Sequence, residues 1–326
     1  VVVVGTGLIG TSIVMAAVRA GDTVRGFDSD PESLARAAEH SGLTPSSTLE
    51  GCVAGATVVF VCTPIPALSG LVAEVLGLAP DAIVTDVGSV KSQVMADVAA
   101  RADPSHLERY IGGHPMGGSE RSGPDHASAS ILDGAVWVLC PSDPVPVANV
   151  ARLSAWVDKV GARPTPMDAE RHDRLVAMVS HLPQVASTAL MGLAAAEEAG
   201  EPEILLLAAG GFRDLTRLAA SSPHLWSDIL LANGDAIVRA VDLYIERLTR
   251  LRTLIGQREA GEVERAFGDA KQARLSLAAK PQVKAGVAVL QVPVPDRPGV
   301  LAEVTATMSD AGVNIAAATC TGPGER

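Results

Sequence analysis

Three groups of residues in this 326-residue chain have the types and spacing to do chemistry. The first is Gly5-x-Gly7-x-x-Gly10, which directly follows the apolar run "VVVVG". In such a triplet the first glycine permits a tight turn and the second lets backbone approach a pyrophosphate. The third allows close packing of the next helix, whose unpaired N–H groups, here around Leu8 and Ile9, receive phosphate. Asp28 closes the stretch "TVRGFD", where a carboxylate accepts hydrogen bonds from the ribose hydroxyls of an adenosine. It would repel a 2′-phosphate, so NAD is expected, with NADP possible because Arg25 and Arg36 are close by in sequence. Asp28 could instead be a turn residue, since "DSDPES" offers Asp30 as a helix cap and Pro31 at the first helical position.

The second group centres on His114 in "GGHPMGGSERSG". Two glycines before it and Pro115 after it suggest an ordered loop, and an imidazole is the commonest side chain for taking a proton at neutral pH. Ser89 in "DVGSVK" and Thr63-Pro64 fall after two other predicted strands, where open α/β sheets hold ligands. Ser89 could equally cap the helix that follows, and Lys91 inside a first helical turn reads as a solvated charge. The third group lies further on, in "SHLPQ" and "GGFRDLTR". His181 stands just ahead of Pro183, expected to interrupt a helix and free polar groups. Arg213 or Arg217 could grip a carboxylate bidentately, the other being structural.

These groups need elements to hold them. Through about residue 167 strands and helices alternate: "VVVV", "TVRGFD", "ATVVFVC", "DAIVTDV", "AVWVLC" and "ARPTP" carry strand character between helical stretches. This is an α/β Rossmann-type dinucleotide-binding domain, expected over 1–167. From 168 to 280 the pattern has helical periodicity and almost no strand formers, which predicts an all-α domain for substrate binding and dimerisation. Residues 285–326 read strand, Asp296-Arg297-Pro298-Gly299 turn, helix, strand.

Composition narrows the partners. The net charge of −11, without a local basic stripe, argues against nucleic acid. Four scattered cysteines form no C-x-x-C pair, so neither a disulfide framework nor a zinc site is expected, and a reducing cytoplasm is. No apolar run approaches the ~20 residues of a membrane span. No metal is expected, and the partner is a small molecule.

The glycine triplet, "CTP", "DVGSVK", "GGHPMGGSE", "SHLPQ", "GGFRDLTRLA" and "LWSDI" occur in an order that closely resembles the prephenate and arogenate dehydrogenases of tyrosine biosynthesis. The resemblance runs from Val1 to about Leu277. It implies NAD-dependent oxidative decarboxylation of prephenate to 4-hydroxyphenylpyruvate, or the corresponding reaction of arogenate, or both as in the cyclohexadienyl dehydrogenases. It makes His114 the catalytic histidine on the ring hydroxyl, with Ser89 orienting it and the nicotinamide. His181 and Arg217 become carboxylate ligands; Glu120, Arg213 and Asp214 match a charged network at the pocket mouth, and Trp226 an aromatic of the site, with core packing as its alternative. The family implies a homodimer. The tail resembles the opening of an ACT regulatory domain, which implies a tyrosine effector. The sequence ends after about half of that βαββαβ pattern, so truncation, or disorder beyond it, is expected. A β-hydroxyacid dehydrogenase is a weaker alternative, since it would place a lysine in the helical domain, and none occurs after 168 until Lys271. A non-catalytic NAD and amino-acid sensor would leave His114, His181 and Arg217 without a joint purpose.

Overall fold

The computed structural model describes residues 1–117, 123–198, 200–201, 203–278 and 299–310. Eight strands form one sheet in the order β3-β2-β1-β4-β5-β6-β7-β8. They are β1 (Val2–Val4), β2 (Arg25–Phe27), β3 (Thr44–Pro45), β4 (Val58–Val61), β5 (Ile83–Asp86), β6 (Tyr110–Pro115), β7 (Val136–Pro141) and β8 (Arg163–Pro166). The first six run parallel, β7 turns antiparallel to β6, and β8 follows β7. Sheet helices are α1 (Leu8–Arg19), α2 (Pro31–Ser41), α3 (Leu49–Val53), α4 (Ile65–Leu78), α5 (Ser92–Arg101) and α6 (Val147–Lys159).

Short apolar strands such as "VVV" and "VVFV" suit a sheet covered on both faces. Their side chains divide by alternation. Val3, Val58 and Phe60 join one core cluster with Ile13, Trp137 and Trp156, while Val2, Val4, Val59 and Val61 join another with Val72, Val84 and Tyr110. The strand order reverses direction between β1 and β4, which opens a crevice at the carboxyl ends of the strands.

Beyond β8 the chain is helical: α7 (Ala169–Val176), α8 (Leu182–Glu198), α9 (Glu203–Leu206), α10 (Gly210–Thr216), α11 (Pro223–Ala232), α12 (Gly234–Gly256) and α13 (Ala260–Ala278). Asp168 caps α7 by accepting from Arg171 N. Pro183 does not interrupt the helix as expected. Residues Ala177–His181 form a π-turn in which Leu182 N reaches back to Ala177 O, and the helix continues through the proline. The resulting stretch Ala169–Glu198 is the one helix among the described residues long and apolar enough to cross a membrane by length and composition. It also carries the buried polar residues His172, Asp173, His181 and Gln184, and α8 lies against the 3₁₀ turn Arg217–Ala220.

The chain divides into two compact units, Val1–Gln272 and Ala273–Arg326. In the second, the helix expected after the Asp-Arg-Pro-Gly turn is α14 (Val300–Asp310), preceded by Gly299 at φ +90°. The strands expected on either side of it lie outside the described residues.

Candidate active site

The glycine triplet is shaped by close approach. Gly5 has φ +95°, and a Cβ there would sit 2.5 Å from Cys62 O; at Gly10 it would sit 1.9 Å from Gly5 O. At Gly7 nothing lies within 4 Å, so the side left open is the one a ligand would use. Gly7 is the N-cap of α1 and supplies no side-chain cap, which leaves the first N–H groups, those of Leu8 and Ile9 among them, for an anion. Thr63 Oγ1, next to this turn after β4, is buried with no hydrogen-bond partner among the described residues. Pro64 then starts α4. An open glycine, uncapped helix N–H groups and an orphaned hydroxyl at one strand edge fit a dinucleotide.

Asp28 takes the turn role foreseen for it. Its Oδ2 accepts from Thr6 N (2.6 Å) and Thr6 Oγ1 (2.9 Å), and its Oδ1 from Asp30 N (2.9 Å), so it ties the glycine turn to the end of β2. Asp30 caps α2, as its position suggested. Arg36 pairs with Asp125 at 3.1 Å, and Arg25 donates to Ala54 O. Both guanidiniums are therefore engaged by groups of the chain itself.

His114 is not in a loop. It lies in β6, opposite Val138 of β7, and the glycines before it answer to packing rather than to flexibility. A Cβ on Gly112 would meet Met95 Sδ at 2.8 Å, and one on Gly113 would meet Asp86 O at 2.4 Å. Because β1, β4, β5 and β6 are parallel neighbours, His114 shares the carboxyl edge with the glycine turn, about 14 Å away across three strand spacings.

His114 Nδ1 lies 2.8 Å from His172 Nε2, and His172 Nδ1 lies 2.8 Å from Asp173 Oδ1. Asp173 also accepts from Lys91 N (2.9 Å) and Ser92 N (2.8 Å), taking the place of a side-chain cap on α5. Ser89 therefore does not cap that helix; it stays half-buried between β5 and α5. Burial, reinforced by His172, Lys91 and His181, holds the His114 imidazole well below the ordinary histidine range. Asp173 is pushed up by burial, but hydrogen bonds from His172, Lys91 and Ser92 outweigh this and bring it below the usual carboxylate range.

Lys91 is a correction to the sequence reading. Its side chain is fully buried, and its ammonium pairs with Asp86 and donates to Gly113 O at 2.7 Å. Asp86 also accepts from Tyr110 OH (2.8 Å), Gly88 N (2.7 Å) and Gly113 N (3.3 Å). A compact charged core thus fixes the backbone just before His114.

His181 is 1% exposed, and its Nδ1 lies 3.2 Å from Asn233 Nδ2, which also donates to Asp173 O at 2.9 Å. With Asn233 donating, the His181 proton resides on Nε2. Burial lowers its pKa to about 4 against the opposing Asp173 carboxylate, so it is a neutral N–H donor. Trp226 stacks edge-on against His181, ring centroids 5.9 Å apart. Arg217 begins the 3₁₀ turn that Gln184 Nε2 and Ser187 Oγ hold through Leu218 O (2.9 Å) and Ala219 N (3.1 Å). Arg213 and Asp214 lie on an exposed part of α10 and make no hydrogen bond to the other candidates among the described residues. Glu120 lies outside the described residues. Among them no group of three or more histidine, cysteine or acidic side chains could hold a metal.

Sequence reasoning missed His172, Asp173, Asn233 and the buried role of Lys91. The one available signal was the adjacent pair "HD", which is buried in a helix whose other charged residues, Glu170, Arg171 and Arg174, are exposed.

A doubly wound sheet with a dinucleotide cradle, and a neutral histidine on the same edge, define an NAD-dependent oxidoreductase. Family models agree: the nucleotide-binding domain of prephenate dehydrogenase matches residues 15–165, its dimerization domain 168–269 and the ACT domain 288–326. The chain is 33% identical over 323 residues to a prephenate dehydrogenase of Bacillus subtilis, covering 97% of this chain and 86% of that one. The structure of Aquifex aeolicus prephenate dehydrogenase in complex with hydroxyphenyl propionate and NAD+ is similar, at TM-score 0.79 and 26% identity over 85% of this chain and 97% of that one. So is Synechocystis arogenate dehydrogenase, at TM-score 0.74 and 29% identity over 85% and 99%. The chain belongs to the prephenate dehydrogenase family.

Proposed function

We propose that this chain is a prephenate dehydrogenase that uses NAD to convert prephenate to 4-hydroxyphenylpyruvate and carbon dioxide, with arogenate as the alternative substrate. The observation that carries the reading is His114, an imidazole kept neutral by burial at the carboxyl edge of the sheet. NAD supplies the hydride acceptor. The glycine turn, the start of α1, Thr63, Pro64 and Asp28 hold the dinucleotide, and Ser89 orients its nicotinamide end together with His114.

His114 Nε2 takes the proton of the ring hydroxyl as the carbon bearing it gives up its hydride. The C–O bond becomes a carbonyl, and the bond to the ring carboxylate breaks, its electron pair completing the aromatic ring as carbon dioxide leaves. The driving force lies in the substrate, so the protein has to position the partners and accept one proton. His181 donates its Nε2–H to one carboxylate and Arg217 binds the ring carboxylate, guanidinium geometry suiting the second task. Trp226 keeps His181 edge-on. Arg213 and Asp214, exposed on α10, are charged groups that the family resemblance assigns to the mouth of the pocket.

The domain division at 167/168 and after 280 fits this division of labour. The helical domain supports a homodimer, the ACT region a tyrosine effector, and a soluble biosynthetic enzyme of this kind acts in the cytoplasm. The test is NADH formation from prephenate and from arogenate, with NAD and NADP in turn, for the wild type and His114→Asn. We expect turnover of prephenate with NAD, and a kcat about 10²–10⁴-fold lower in the variant. Exclusive use of arogenate would move the specificity, and near-normal turnover by His114→Asn would remove the general base.

A further inference from the structure

We propose that His172 and Asp173 are positioning residues that lock His114 in the tautomer with its proton on Nδ1, so that Nε2 is always the basic nitrogen. The proposal rests on the reading of His114 as the base. It follows from donors and acceptors in a line. Asp173 Oδ1 can only accept, so the His172 nitrogen 2.8 Å away, Nδ1, must carry a proton. In a neutral His172 the other nitrogen, Nε2, is then an acceptor. The His114 nitrogen 2.8 Å from it, Nδ1, must therefore donate. What remains on His114 is a lone pair at Nε2. The opposite arrangement would set a lone pair of His172 against the carboxylate.

The lock has a rigid anchor. Asp173 is held by the backbone N–H groups of Lys91 and Ser92 at the start of α5, and His172 is 1% exposed, so neither side chain can turn to another partner without leaving a buried polar group unpaired. The charged and titratable groups packed around the pair come from several elements: Lys91 and Asp86 near β5, His181 and Asp173 from the helical region, Tyr110 from β6 and Cys140 from β7. When His114 takes a proton it becomes an imidazolium whose Nδ1–H still donates to His172, with the Asp173 carboxylate beyond to balance the charge. Electrostatic support of this kind is fixed before reaction begins. It also ties catalysis to the contact between α7 and α5, because the anchor and the lock are one carboxylate.

Ring-nitrogen NMR of the full chain reads the tautomer directly. In the wild type we expect His114 with a protonated Nδ1 and an unprotonated Nε2 at pH 8. His114 protonated on Nε2 in the wild type overturns the proposal whatever the variants do. His172→Phe should shift His114 toward the Nε2–H form and lower kcat tenfold or more with KM within about twofold. His172→Gln, whose Oε1 can accept from His114 Nδ1, should recover most of the loss. His172→Phe with wild-type kcat and an unchanged His114 tautomer overturns the lock while leaving His114 as the base. Full turnover by His114→Asn overturns the base itself, a separate outcome.

Discussion

Lys91 shows how much one buried side chain can decide. Its ammonium, fully enclosed, balances Asp86 and satisfies Gly113 O, while Asp86 in turn binds Tyr110 OH and Gly113 N. Every member of this cluster touches the backbone that presents His114. Removing one charge of a buried pair leaves the other uncompensated, a loss that usually reaches about 3–5 kcal/mol. Lys91→Met should therefore destabilise the protein by roughly that amount and lower kcat as β6 relaxes. Urea denaturation paired with steady-state kinetics checks both. A variant with unchanged stability would mean that the cluster does not hold this strand. The sequence spoke against this role, because a lysine in the first turn of a helix is ordinarily solvated. What it could not reveal is that the turn faces inward between two strands, with its N–H groups already capped by Asp173 from another part of the chain.

At the level of elements, β6 is where packing and chemistry compete for the same residues. The two glycines before His114 admit Met95 on one side and the Asp86 carbonyl on the other. Gly113→Ala would put a Cβ 2.4 Å from Asp86 O, and backbone cannot give as a flexible side chain can. The strand must shift instead. We expect Gly113→Ala to lose about 1–3 kcal/mol of stability and to weaken turnover more than NAD binding, since the glycine turn after β1 is three strands away. Calorimetry with and without NAD, together with kcat, separates the two; equal losses in cofactor affinity and turnover would point to collapse of the whole sheet edge. The same strand marks the limit of what was legible. Local signals gave the alternation of strands and helices, the glycine turn, Asp30 as a cap, and the change to helices near 168. They placed His114 in a loop because Gly-Gly is a turn signal in isolation. Its reading as strand depends on Ile111–Pro115 pairing with Trp137–Pro141, a partner more than twenty residues later. His172 and Asn233 are reached from His114 only through contacts 58 and 60 residues long in sequence, which no spacing rule carries.

Across the whole molecule, the buried ionisable groups set a window of stability in pH. His114 and His181 are kept neutral in the folded chain, the first well below 6.5 and the second down to about 4, chiefly by burial. Once unfolded, both regain their ordinary affinity for protons. Below pH 6.5 the unfolded chain then binds more protons than the folded one, so stability falls as pH falls, and for His181 it goes on falling to about pH 4. Above 6.5 both histidines are neutral in either state and contribute no slope. Burial acts in the opposite sense on the weak acids. The thiols of Cys52 and Cys140 rise from 9.0 to about 11 and about 12, and Tyr110, buried beside Asp86, lies well above 10. The unfolded chain releases these protons first as pH rises, so stability declines again above about pH 9. Urea midpoints measured across pH should form a plateau between about 6.5 and 9 with a fall on each side. His181→Gln should flatten the acid side, because an amide removes one of the two groups that must stay unprotonated. A midpoint that holds steady from pH 6.5 down to 4.5 would mean that the histidines are charged in the folded chain, and a charged His114 could not take the substrate's proton. The acid limb of stability and the acid limb of kcat/KM therefore share a cause in His114. If a substitution opens its pocket to water, the His114 pKa rises toward its ordinary value, so the acid limb of kcat/KM should move to higher pH while the acid fall in stability becomes shallower.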